Sequence, residues 1–116
     1  MNAYLERELK SLKSECASVN WDGSGAPAIS DRSFAAAYRV ARSIPETMTQ
    51  PTPSVNRSGE VFFRWGSVKR RYFSLIFVGG PGQQVECKEG RGGVFNSRFV
   101  DGSVGNLKRL IAEANV

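Results

Sequence analysis

Three prolines close together, Pro45, Pro51 and Pro53, divide this chain into two halves of different character. Each proline locks φ and removes a backbone N–H. The stretch 45–58 therefore reads as an extended crossing, with neither a helix nor a central strand in it. Before it, apolar residues recur at helical spacing. After it, they alternate.

In the first half, Leu5, Leu9, Leu12 and Cys16 recur every three or four residues, with Tyr4 beside them. That spacing predicts an amphipathic helix over 3–16. Glu6 and Glu8 lie early in it and Lys10 and Lys13 late, which suits the helix dipole. A second helix is predicted over 31–44. Ser30 serves as its N-cap and Asp31 as an acid in its first turn. Phe34, Ala37, Tyr38, Ala41 and Ile44 form its apolar face, and Pro45 stops it.

In the second half, residues 60–65 set Val61, Phe63 and Trp65 on one face and Phe62 and Arg64 on the other. Residues 70–78 alternate likewise, with apolar side chains on both faces. That marks a central strand or one covered by a helix. Gly79-Gly80-Pro81-Gly82 reads as a turn, 84–88 as a short strand, 89–93 as a second turn and 94–100 as a fourth strand. Val104, Leu107, Leu110, Ile111 and Ala114 then make the apolar stripe of a last helix over about 103–114, capped by Asp101 or Ser103. The expected fold is a single α+β domain over 1–116. It is a four-stranded antiparallel meander with two N-terminal helices and one C-terminal helix packed on one face. At 116 residues the chain is long enough for one modest core.

Composition narrows the chemistry. The sequence has no histidine, so it lacks the commonest general base and the commonest metal ligand. Cys16 and Cys87 are the only cysteines and fit no zinc spacing. They read as two reduced thiols that pack as small hydrophobes. Asp22, Asp31, Glu60, Glu86 and Asp101 each have a local task in a turn, cap or strand, and no pair sits at a spacing that forces it together. The glycine clusters at 79–82 and 90–93 match neither phosphate-loop pattern and read as hairpin turns. No catalytic residue, metal site or cofactor is expected. Charged residues where a secretory core would lie, and the lack of a long apolar run, predict a cytoplasmic chain that does not enter a membrane.

The formal charge of +5 is unevenly placed. Residues 1–58 hold seven basic and six acidic groups, and residues 59–116 hold nine and five. The densest basic stretch, Lys69-Arg70-Arg71, lies between Arg64 and Tyr72. Basic residues interleaved with aromatics on a sheet are one means of holding single-stranded nucleic acid. If the register brings them together, Arg64, Arg71, Lys88 and Arg98 share one sheet surface. The expected binding residues are Arg64, Lys69, Arg70, Arg71, Tyr72, Lys88 and Arg98. In the turn-rich loop after the first helix, Trp21 and Asp22 are expected to anchor the loop on the core, the alternative for Trp21 being a binding hot spot.

Asn20-Trp21-Asp22-Gly23-Ser24-Gly25-Ala26 is followed by Ile29-Ser30, a helix ending at Ile44-Pro45, Pro51-Thr52-Pro53, and a strand from Gly59-Glu60 to Trp65. Over roughly residues 20–66 this resembles small uncharacterised bacterial and phage proteins with an N-W-D-G-x-G-A loop, a later P-x-P and a strand ending in Trp. Ser24 stands where those proteins usually carry an aromatic. The resemblance implies a bacterial or phage origin and an α+β fold, and it carries over no catalytic residue. The function expected is that of a small interaction or regulatory protein that binds a macromolecular partner, antitoxin-like or an inhibitor of a host defence system. A protein partner leads. The alternative is nucleic-acid binding on the basic face of the sheet. A homodimer through a sheet edge is a further expectation.

Overall fold

The computed structural model of the chain describes residues 2–67, 70–78 and 84–114. Helix α1 spans Ala3–Glu15 and buries Leu5 and Leu9. Asn2 caps it, its side-chain oxygen accepting the Leu5 N–H at 3.0 Å. Asn2 is itself fully buried, and its amide nitrogen donates to the Ile44 carbonyl and to Gln50 Oε1. The start of the chain is thus tied to the segment after the second helix.

Helix α2 spans Asp31–Ala41, three residues shorter than the spacing predicts, and Ser30 caps it through Ser33 N–H. Its buried side is Ser33, Ala37, Val40 and Ala41, with Ile44 buried just beyond. Phe34 and Tyr38 sit at the margin of the buried stripe instead of on its axis. There Lys13 Nζ lies 4.7 Å above the Phe34 ring, and the Tyr38 hydroxyl donates to Glu6 at 3.0 Å. Ser33 has a second role. Its hydroxyl donates to the Phe77 carbonyl at 2.5 Å and accepts the Val61 N–H at 2.7 Å. One small side chain therefore bonds the helix to two strands.

Among the described residues the sheet has five strands in sequential antiparallel order, not four. They are β1 Thr52–Val55, β2 Val61–Gly66, β3 Arg71–Phe77, β4 Gln84–Arg91 and β5 Val94–Asp101. The extra strand, β1, comes from the proline-rich crossing. An edge strand has one neighbour only, so a residue without an N–H can sit there, and Pro53 lies opposite Phe63. The β1–β2 turn runs through Gly59 at φ +78, where a Cβ would meet the Ala28 carbonyl oxygen at 2.6 Å. Strand β4 runs three residues past the expected Lys88, and only Gly92 and Gly93 form the turn into β5. The expected turn at 79–82 lies outside the described residues. Helix α3 spans Val104–Ala114, preceded by Ser103, and buries Leu107, Leu110 and Ile111.

One hydrophobic cluster joins these helical side chains to Val61, Phe63, Trp65, Phe73, Leu75, Phe77, Val85 and Cys87. All eight are on the same face of the sheet, as the register requires. Phe63, Trp65, Phe73 and Phe77 pack ring against ring across β2 and β3. Among the described residues the three helices therefore cover one face of the sheet, and none covers the other.

Candidate interaction face

The strand register sorts the open face into three rows that run across the strands. The first holds Phe62, Ile76, Glu86 and Phe99; the second Arg64, Ser74, Lys88 and Ser97; the third Gly66, Tyr72, Gly90 and Phe95. The outer rows are largely apolar and aromatic, and the middle row carries two cations. Phe62, Tyr72, Ile76 and Phe95 are half-buried and Phe99 is 61 % exposed. Tyr72 and Phe95 meet edge to face at 5.4 Å. They reach each other over Gly90, where a Cβ would lie 2.4 Å from the Phe95 ring. Lys88 Nζ stands 5.1 Å from the same ring. Such ring and cation contacts hold a surface rigid before any partner arrives.

Ser74 occupies the centre of this face, on β3 between Arg64 and Lys88. It is fully buried, and among the described residues its hydroxyl oxygen is the one buried side-chain polar atom without a hydrogen-bond partner. Glu86, also on the face, accepts a hydrogen bond from the Ser97 hydroxyl.

The expected binding residues do not all meet. Arg64, Tyr72 and Lys88 share the open face. Arg71 pairs with Arg91, and Arg98 with Cys87, so both point to the helix side of the sheet. The shared surface of Arg64, Arg71, Lys88 and Arg98 is thereby overturned: side chains alternate along a strand, and the register gives these four opposite parities. Arg71 and Arg91 line a cavity of about 350 Å³ with Glu89, Asn96 and Ala114, at the end of the helix side. Arg98 lies 3.9 Å from Glu89 with both side chains largely exposed, a contact worth little to stability. Arg70 is exposed at the β2–β3 turn, where its N–H donates to the Ser67 carbonyl. Lys69 lies outside the described residues. Phe62, Ile76, Phe95 and Phe99 were absent from the expected set. Their alternation with core residues was visible, but the pairing that aligns them was not.

The loop of residues 20–26 is closed by its own backbone. Asn20, at φ +66, donates its N–H to the Ala26 carbonyl and accepts from Gly25 N–H on its side chain. The Asp22 carboxylate accepts from the N–H groups of Ser24 and Ala26, which hold its pKa below the ordinary value. Trp21 is half-buried against the core and donates its indole N–H to the Pro27 carbonyl at 2.7 Å.

Both cysteines are free and buried. Burial, with a smaller push from Glu89, raises the Cys87 thiol to about 11. Burial also raises Cys16, with Glu15 adding to it. A neutral thiol is thus favoured in the folded state. Stability should hold up to about pH 9 and fall as the pH passes from about 9 to about 11, because only the unfolded chain then releases that proton. Denaturant titrations at several alkaline pH values should show the fall, and Cys87→Ala should flatten it. Both thiols should also resist alkylation at neutral pH until the chain is unfolded.

Among the described residues no group of three or more Cys, Asp or Glu could hold a metal ion, and no helix is long and apolar enough to cross a membrane. Helices on one face of an antiparallel sheet, with an aromatic and cationic opposite face, define an α+β protein with one open sheet surface. No family model, curated protein or solved structure matches the chain.

Proposed function

We propose that this chain is a non-catalytic interaction protein of the bacterial or phage type, antitoxin-like or an inhibitor of a host defence system. It binds a protein partner through the open face of its sheet. The observation that carries this is the helix-free surface of Phe62, Tyr72, Phe95 and Phe99 around Arg64 and Lys88. Aromatic residues and Arg are the types enriched where proteins meet and where most binding energy resides. A preformed ring pair reduces the ordering cost of association.

A second reading, single-stranded nucleic acid on the same face, draws on the two cations between aromatic rows. Glu86 favours the protein reading, since its carboxylate lies on the surface a phosphate backbone would follow.

The test pairs capture from bacterial extracts with mobility shifts on single- and double-stranded nucleic acid. The Arg64→Glu/Tyr72→Ala variant should lose its partner by at least about tenfold. Lys108→Glu, exposed on α3, should retain it. Equal capture by the wild type and the face variant would refute the proposal. A shift that weakens steeply with added salt would transfer the face to nucleic acid.

A further inference from the structure

The two edges of the sheet are built differently. Strand β1 is four residues long and contains Pro53, with Pro51 just before it. Prolines and shortness blunt an edge against pairing. Strand β5 is eight residues long, Val-Phe-Asn-Ser-Arg-Phe-Val-Asp, and has no proline. The sheet order ends with it, so among the described residues β4 is its sole strand neighbour. Val94 and Phe99 on β5 are 73 % and 61 % exposed.

The backbone of β5 shows which groups are free to pair. Gly92 and Gly93 both have positive φ, as the two central residues of a two-residue hairpin turn require. Arg91 and Val94 close that turn as a hydrogen-bonded pair, and bonded and non-bonded pairs alternate from there. Asn96, Arg98 and Val100 therefore bond to β4. Phe95, Ser97 and Phe99 direct their N–H and C=O groups away from the sheet.

We infer that a second copy of this chain pairs antiparallel with β5, about a twofold axis at Ser97, to make one continuous sheet. In that register Ser97 faces Ser97 of the second copy, and Phe95 faces Phe99 of the second copy on the open side. On the helix side Asn96 faces Arg98 of the second copy, and Val94 faces its Val100. Aromatic and β-branched cross-strand pairs are the favourable ones. A shift by two residues in one direction sets Arg98 directly against Arg98, a like-charge clash. A shift in the other direction sets Arg98 against Val94 and shortens the ladder. The strand is self-complementary in one register, as a twofold contact demands. The inference rests on the sheet edge and not on the proposed role of the open face, which the dimer would double in extent.

Sedimentation velocity of the full chain, from low micromolar to sub-millimolar concentration, tests it. The wild type should shift from monomer to dimer as concentration rises. Ser97→Pro removes an outward N–H without removing a bond to β4, and should weaken the dimer at least about tenfold. Asn96→Asp, opposite Arg98, should tighten it, and Asn96→Lys should loosen it. Circular dichroism shows whether Ser97→Pro is folded. If it is not, the Asn96 pair, on an exposed position, carries the test. A wild type monomeric throughout would overturn the inference. So would a dimer whose strength neither Asn96 variant changes.

Discussion

Trp65→Ala is expected to destabilise the protein by about 3–5 kcal/mol, the range for truncating a large buried aromatic. The side chain is 2 % exposed and packs edge-on against Phe63 and at a tilt against Phe73. Its indole N–H donates to the Thr49 carbonyl at 2.9 Å, which also fastens the segment leading into β1. Alanine would open a cavity in the core and remove that donor from the Thr49 carbonyl. Domains of this size have only about 5–15 kcal/mol in hand, so a large share of the total is at stake. Urea denaturation followed by far-UV circular dichroism measures the loss. Trp65→Phe should recover part of it. A loss under about 1 kcal/mol for the alanine variant would mean that the core closes around the gap.

Ser33→Ala is the second large effect, and it acts through hydrogen bonds more than volume. Removing the hydroxyl leaves the Val61 N–H without its acceptor and the Phe77 carbonyl without this donor. Each orphaned buried group costs about 1–3 kcal/mol, so the pair should cost about 2–6 kcal/mol. The denaturation midpoint should fall with little change in slope, because the surface exposed on unfolding is nearly the same. Ser74→Ala is the contrasting control. Its hydroxyl has no partner to lose, so that change should be near neutral. Equal costs at the two serines would show that the bridging geometry of Ser33 contributes nothing.

Both predictions show where sequence reasoning reaches and where it stops. Trp65 announces itself, since it ends an alternating apolar run. Ser33 does not. In a helix it reads as a small polar residue one turn past the cap, and only the approach of β2 and β3 makes it a bridge. The same holds for Asn2, whose burial depends on Ile44 and Gln50 more than forty residues away. Helix α2 was legible as an element, but its buried stripe turned from Phe34 and Tyr38 toward Ser33 and Val40. Small side chains let the sheet come close, and the rings are left at the margin.

The sequence by itself determined the order of the three helices and of β2 to β5, the alternation that buries Val61, Phe63, Trp65, Phe73, Leu75 and Phe77, and the glycines of the β4–β5 turn. Those are short-range properties, set by the period of the backbone and the freedom of φ. The tertiary structure alone decided the fifth strand, because a proline segment becomes an edge strand only when a neighbour is there to pair with it. It alone decided the register as well, and with it the face on which each cation lies. A run of arginines in sequence becomes two opposite surfaces when alternate residues point opposite ways. The proposed binding surface is therefore an aromatic face with Arg64 and Lys88 in its middle, while Arg71 and Arg98 lie on the helix side.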